Sequence, residues 1–207
     1  MKDPSRQTRQ KPHALIGQRL LLREVRLPDA EGPYLQWMND PEVVKYSESR
    51  FRPYSKAQLQ EYATTINENP DFIFRAITLK DSGRHIGNIK LGPIDWNHRF
   101  GDIGIIIGAK DCWGQGYATE SIQLLAEFAF TSLKLHKLTA GCYVVNIAGI
   151  RAFEKAGFVR EGLRRNQYMF EGRYVDVVFL GLINPADGTN ASVFAATESN
   201  KLTGSQA

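Results

Sequence analysis

The sequence predicts an α+β fold, layered α/β/α, around a mixed and mostly antiparallel sheet of about six or seven strands with helices on both faces. Three observations predict it. Residues 101–133, GDIGIIIGAKDCWGQGYATESIQLLAEFAFTSL, read as strand, glycine turn and helix: a β-branched run at Ile103 to Ile107, glycines at 114 and 116, then apolar residues at 118, 122, 125, 126, 129 and 133 on one helical face. Residues 72–108 read as three successive strands joined by short polar turns, hence antiparallel neighbours. The helix after Gly116 leads to an alternating run at Lys137 to Val145, which makes a right-handed β-α-β crossover and one parallel pair.

The remaining elements follow from local chemistry. Arg19 to Arg26 is the first strand, with Leu20 and Leu22 on one face. Pro28 and Asp29 open a helix through Met38, which Asn39-Asp40-Pro41 breaks. Residues 42–54 have no clean period, and such irregular aromatic and charged stretches often line sites. Ser55 caps a helix through Asn67 with Leu59, Tyr62, Ala63 and Ile66 inward. Phe72 to Leu79 and Ile86 to Ile94 flank the turn at 80–84. Ile147 to Ala156 is a short helix ending at Gly157. A strand from Phe158, a turn at 168–172 and a last strand, Arg173 to Ile183, complete the domain.

Three segments result: a polar basic leader at 1–14 and an Ala/Ser/Thr-rich tail at 185–207, both expected to be disordered, around one domain at 15–184. The leader concentrates the net charge of +4, which argues against nucleic-acid binding by the domain itself; binding through the leader is the remaining form of that reading. Cys112 and Cys142 form neither a disulfide framework nor a metal spacing and suit a reducing cytoplasm. No apolar run is long enough to span a bilayer, so no membrane partner is expected. No metal is expected either.

The glycine turn Trp113-Gly114-Gln115-Gly116-Tyr117-Ala118-Thr119 aims backbone N–H groups outward at the positive end of a helix, a ready anion site. It is not a P-loop, since G-x-x-x-x-G-K-[ST] is absent. It is not a dinucleotide fingerprint, since Thr119 stands where the third glycine belongs. A tight turn with no ligand is the bland alternative.

The turn resembles the pyrophosphate loop of the GNAT superfamily of acyl-CoA N-acyltransferases, Q/R-x-x-G-x-G/A, with Trp113 in the first place as in its RimJ/RimL-like branch. Asn146-Ile-Ala-Gly-Ile-Arg-Ala-Phe-Glu-Lys-Ala-Gly-Phe158 is similar to the second family motif, N-x-x-S-x-x-x-Y-E-K-x-G-F. The openings R-L-L-L-R and N-D-P-E-V, and the element order over 15–184, agree with it. The resemblance implies the GNAT fold and transfer of acetyl from acetyl-CoA to a primary amine. The N–H groups of Trp113 to Ala118 would hold the pyrophosphate, with the Thr119 hydroxyl as a further donor, and Asn146 would hold the pantetheine. Lys110, Arg151 and Lys155 are candidates for the outer phosphates. Backbone N–H groups along Ile105, Ile106 and Ile107 would stabilise the oxyanion. Phe153 replaces the family tyrosine that protonates departing thiolate, and Gly149 replaces a serine. An alkyl amine with a pKa of ~10.4 is protonated at neutral pH, so a base is needed. Asp102, in Asp102-Ile103-Gly104, matches the family's A-E-I-G phrase and is the candidate; a strand-end ion pair is the bland reading.

The acceptor side would comprise 42–56, parts of 61–74 and 164–173, with Arg50, Arg52, Tyr54, Arg164 and Tyr168 as candidate contacts. Arg165 and Arg173 add to an arginine content that suits an anionic acceptor better than a polyamine. Protein N-termini, polyamines, aminoglycosides and amino-sugar nucleotides stay open. A homodimer is admitted. Replacement of the tyrosine by Phe153 also leaves open a weakly active or inactive coenzyme-binding or partner-binding domain.

Overall fold

The computed structural model describes residues 14–188. Its strands are β1 (Ala14–Ile16), β2 (Leu20–Glu24), β3 (Ile73–Leu79), β4 (His85–Asp95), β5 (Phe100–Ile107), β6 (Lys137–Tyr143), β7 (Val159–Phe170) and β8 (Arg173–Ile183). Its α-helices are α1 (Pro33–Met38), α2 (Lys56–Glu68), α3 (Tyr117–Thr131) and α4 (Ile147–Lys155). They form one eight-stranded sheet in the order β1-β2-β3-β4-β5-β6-β8-β7. Every neighbouring pair is antiparallel except β5 and β6. The fold class is thus as expected.

The sheet is one strand wider than expected because Ala14 to Ile16 pairs with β2. The leader and tail otherwise lie outside the described residues; Ala14 and the short 3-10 turn Pro185–Asp187 are the parts that fall within them.

The helix expected from Pro28 to Met38 is two pieces, a 3-10 turn at Leu27–Glu31 and α1. Gly32-Pro33 divides them: proline lacks an N–H, and its ring drives the preceding residue out of the helical region. Gly32 accordingly has φ −98° and ψ −144°. Ser55 caps α2 as expected, and a reciprocal bond from its own N–H to Gln58 completes a capping box. Leu59, Ala63 and Ile66 form the buried stripe, whereas Tyr62, 37% exposed, is only partly covered.

β3 buries six consecutive residues, Ile73 to Thr78, so both of its faces are covered. On one face, α2 sets the Tyr62 ring edge-on to Phe74 at 5.6 Å. Across the other runs α3, whose buried Ile122, Leu125, Ala126 and Ala129 meet the apolar residues of β2, β4 and β5. Gly108 lets the chain leave β5: a Cβ there would stand 1.9 Å from the Trp37 ring.

Candidate active site

The parallel pairing of β5 with β6 covers only Phe100, Gly101 and Asp102 against Lys137, Leu138 and Thr139. Beyond Asp102 the two strands part, while β5 stays paired to β4 as far as Ile107. In an antiparallel ladder alternate N–H groups point to opposite sides. The Gly108 N–H donates to the Ile86 carbonyl, which sets the parity. Ile106 therefore turns its N–H to β4, and Ile105 and Ile107 turn theirs into the gap. Of the three isoleucines expected to act through their amides, Ile106 instead gives a wall to the adjacent cavity.

At the end of the gap lies the glycine loop. Gly114 has φ 74° and Gly116 has φ 82°, the left-handed region that a Cβ disfavours. Gly116 is the N-cap of α3 with no side-chain cap. The N–H groups of Gly114 to Thr119 therefore converge on the helix start with no acceptor from the described residues. The Trp113 N–H, expected among the pyrophosphate donors, is instead bonded to the Lys110 carbonyl at 3.1 Å. Trp113 braces the loop by donating from its indole to the Ile107 carbonyl at 2.7 Å, and Gln115 donates to the Asp111 carbonyl at 2.5 Å. The Tyr117 ring carries the Arg19 guanidinium at 4.5 Å. Ala118 begins the helix, and the Thr119 hydroxyl donates to the Ala152 carbonyl at 3.4 Å, toward α4 rather than out of the loop.

The Glu120 carboxylate accepts from the Arg19 N–H, the Arg19 Nε and the Leu20 N–H. It thereby locks the β1–β2 turn onto the loop helix, a role that sequence spacing does not reveal. Lys110, a candidate for the outer phosphates, is engaged by Asp40 at 2.8 Å and Glu42 at 2.5 Å. Arg151 and Lys155 remain exposed on α4.

On the other bank of the gap, Asn146 caps α4: its Oδ1 accepts from the Gly149 N–H at 3.0 Å. A Cβ on Gly149 would fall 2.6 Å from the Asn146 amide nitrogen, so in this chain the Asn146 side chain lies close over Gly149. Phe153 is buried, edge-on to Phe158 at 5.1 Å, and reaches the cavity with Asn146.

That cavity, about 670 Å³, lies between the gap, α2 and the 46–54 segment. Tyr54 and Arg52 line it. Burial raises the Tyr54 phenol, but bonding to Ser49 and Arg52 together brings it below the ordinary tyrosine value. Glu61, Tyr62, Thr65 and Phe74 line the cavity from the expected 61–74 stretch, while sequence reasoning missed Lys90, Asn88 and Tyr34, because their proximity depends on the register of β4 with β5 and on how the helices cross the sheet.

Arg50 and Tyr168 are placed differently. Arg50 donates to the Ser47 carbonyl at 2.7 Å, the Tyr143 hydroxyl at 2.9 Å and the Met169 carbonyl at 2.8 Å. Glu48 accepts from the same Tyr143 hydroxyl, and Tyr168 stacks on the Tyr143 ring at 5.3 Å. The pair fastens the 47–51 segment to β6 and β7. Arg164 lies over the Phe179 ring at 4.3 Å, outside the cavity wall.

Asp102 stands where the strands part. Thr139 donates to its Oδ1 at 2.9 Å. By total area the residue is exposed, yet its carboxyl is hemmed in at the β5–β6 seam. That local burial raises its pKa above the usual aspartate value, against the opposing pull of Thr139 and Lys90. It does not line the cavity directly; it shares a strand face with Gly104, which does. No cluster that could hold a metal ion occurs among the described residues.

A strand pair that opens beside a helix-capping amide loop can hold a diphosphate at one end and an extended amide-bearing arm along its length. The family profile described as "Acetyltransferase (GNAT) domain" matches residues 19–159. The chain belongs to that family. It is 32% identical over 174 residues to an uncharacterized N-acetyltransferase, p20, of Bacillus licheniformis, covering 82% of this chain and 95% of the relative. It is 34% identical over 128 residues to a spermidine N(1)-acetyltransferase of Vibrio cholerae, covering 60% and 72%. A crystal structure of spermidine N-acetyltransferase from Vibrio cholerae in complex with CoA and spermine superposes with TM-score 0.72 at 27% identity, over 81% of this chain and 96% of that one. The chain is thus an N-acetyltransferase, and its cosubstrate is acetyl-CoA. No helix among the described residues is long and apolar enough to cross a membrane.

Proposed function

We propose that this enzyme, of RimJ/RimL-like type, acetylates the primary amine of a small molecule or peptide by direct attack, with both substrates bound together. The observation that carries this reading is the early end of β5–β6 pairing beside a cavity that opens onto it. Acetyl-CoA supplies an acyl group activated as a thioester. The N–H groups of Gly114 to Thr119 bind its pyrophosphate, with Trp113 and Gln115 as braces. Asn146 holds the pantetheine amides, and Ile105 and Ile107 turn N–H groups toward the thioester oxygen.

Asp102 takes the proton of the attacking amine, directly or through one water. Phe153 has no proton to give, so the thiol leaves as thiolate, which a pKa of about 8.5 permits near neutral pH. Arg52 and Tyr54 face the acceptor, whereas Arg50 and Tyr168 position the segment that bears them. Two free, buried cysteines suit a cytoplasmic location. A homodimer remains compatible with the reading.

The test is release of CoA thiol from acetyl-CoA in the presence of a panel of primary amines, with product masses measured. Amine-dependent thiol release with a mass gain of one acetyl group supports the proposal. Thiol release that ignores the amine overturns it.

A further inference from the structure

The middle of the sheet has an opening. Along β5, Asp102 and Gly104 are exposed while Gly101 and Ile103 are buried. Gly104 is exposed where β6 has parted from β5, and a Cβ built on it would meet nothing within 4 Å. Its cross-strand partner on β4 is Lys90. Directly opposed residues have Cβ positions about 5 Å apart, so the Lys90 stem rises beside the opening. On the far side Thr139 flanks Asp102, and Gly141, two residues on from Thr139, again lines the cavity. The result is a trough floored by glycine backbone, with a carboxylate at one end and an ammonium along one bank.

Lys90 is half-buried and its ammonium is held at the side of this trough. Its ammonium donates to the Tyr62 hydroxyl at 3.0 Å and lies 5.6 Å from the Phe72 ring and 5.7 Å from the Tyr62 ring. No carboxylate among the described residues forms an ion pair with it. An ammonium has three donors, and one is spent on Tyr62. Farther along the cavity, Arg52 is likewise without a carboxylate partner among the described residues and sits over the Tyr54 ring at 5.3 Å. Among the described residues the wall has one carboxylate, Glu61, which is exposed. A polyamine would need the opposite balance.

We propose that Lys90 is a specificity-determining residue that binds an anionic group, carboxylate or phosphate, lying a few bonds from the acceptor's amine, and that the amine itself lies over Gly104 beside Asp102. This rests on the acetyl-transfer reading above and narrows its acceptor to amines that carry their own anion. Lys90 then does two things: it pairs with the anion, and it discourages acceptors that are cationic throughout.

The experiment compares kcat/KM within matched pairs. The carboxylate arm is an α-amino acid against its methyl ester, and the phosphate arm is phosphoethanolamine against ethanolamine; spermidine is the polycationic control. The ester amine is the less basic of its pair, so any bias runs against the proposal. A charge-assisted bond predicts a preference of about tenfold or more for the anionic member in at least one arm, and the responding arm identifies the anion. Lys90→Met should bring that ratio to about one while acetyl-CoA affinity by calorimetry stays unchanged. Lys90→Glu should shift preference toward spermidine, and Tyr62→Phe, which removes only the hydroxyl holding Lys90, should lower the ratio partway. Ratios near one in both arms, spermidine as the best acceptor of the wild type, coenzyme binding without turnover of any acceptor, or an equal loss for all acceptors in Lys90→Met would each overturn the proposal. Failure of the wild type to bind acetyl-CoA would overturn the acetyl-transfer reading instead.

Discussion

The guanidinium of Arg19 meets the Glu120 carboxylate at 2.8 Å and so ties the turn between β1 and β2 to the first turn of α3. The same guanidinium donates to the Gln115 carbonyl at 2.9 Å, inside the glycine loop. One side chain therefore holds both the loop and the helix that presents it. Glu120 is largely covered, with 14% of its side chain exposed, so loss of its bonds is felt. Glu120→Ala should destabilise the fold by about 1–2 kcal/mol, read as a lower urea midpoint, and should weaken acetyl-CoA binding. Unchanged values for both would remove the brace from the account.

Gly116→Asp places a Cβ at φ 82° and a negative charge at the mouth of the helix. The backbone strain alone is about 1–2 kcal/mol. Binding of acetyl-CoA by calorimetry should weaken at least about 100-fold, while far-UV circular dichroism stays close to wild type. Unaltered affinity would mean that the coenzyme does not use this loop.

Asp102→Asn should cost most activity at low pH, where the acceptor amine is most fully protonated and needs a base. The ratio of mutant to wild-type kcat/KM should climb from pH 6 to pH 9; a flat ratio removes Asp102 as base. The stability effect has its own sign. Burial raises the folded pKa above the unfolded value of 3.8. The folded state then binds the proton more readily, and its contribution is present below that value and lost as pH rises through the raised one. Asn should abolish this loss in urea titrations run across that acidic window.

His85 is buried against Trp37, ring centroids 5.0 Å apart, with Nε2 bonded to the Gly87 carbonyl and Asn88 Oδ1 and with Nδ1 lacking a hydrogen bond. Burial lowers its pKa below 6.5; Asp29 at 3.8 Å pulls the other way and Arg23 adds to the lowering. A depressed histidine contributes stability above the unfolded value that is lost as pH falls through the folded one. The urea midpoint should drop as pH falls below 6.5, and His85→Leu should flatten that slope. An equal slope in both proteins would place the proton-sensitive group elsewhere.

Much of this was readable in the residues because it is local. The Ser55-x-x-Gln58 capping pair announces α2, and the two glycines after a β-branched run announce the loop. Gly32-Pro33 was equally visible and should have divided the first helix, since the rule about residues before proline needs no tertiary information. What could not be read was long-range. Glu120 finds Arg19 across 101 residues of chain. Arg50 was a candidate substrate contact by its charge, yet its three acceptors come from the 47–51 segment, β6 and β7. Lys90 has no motif around it; its place follows only when β4 is laid against β5 and Gly104 falls opposite.

The short β5–β6 pairing also bears on how the molecule is held together. Three residue pairs join the five strands β1 to β5 to β6 across that seam before β8 and β7 continue the sheet. A cosubstrate whose amides bridge the seam is then mortar as well as reagent. Its binding should slow hydrogen exchange along β6 and its neighbour β8, and the apoenzyme should breathe there first.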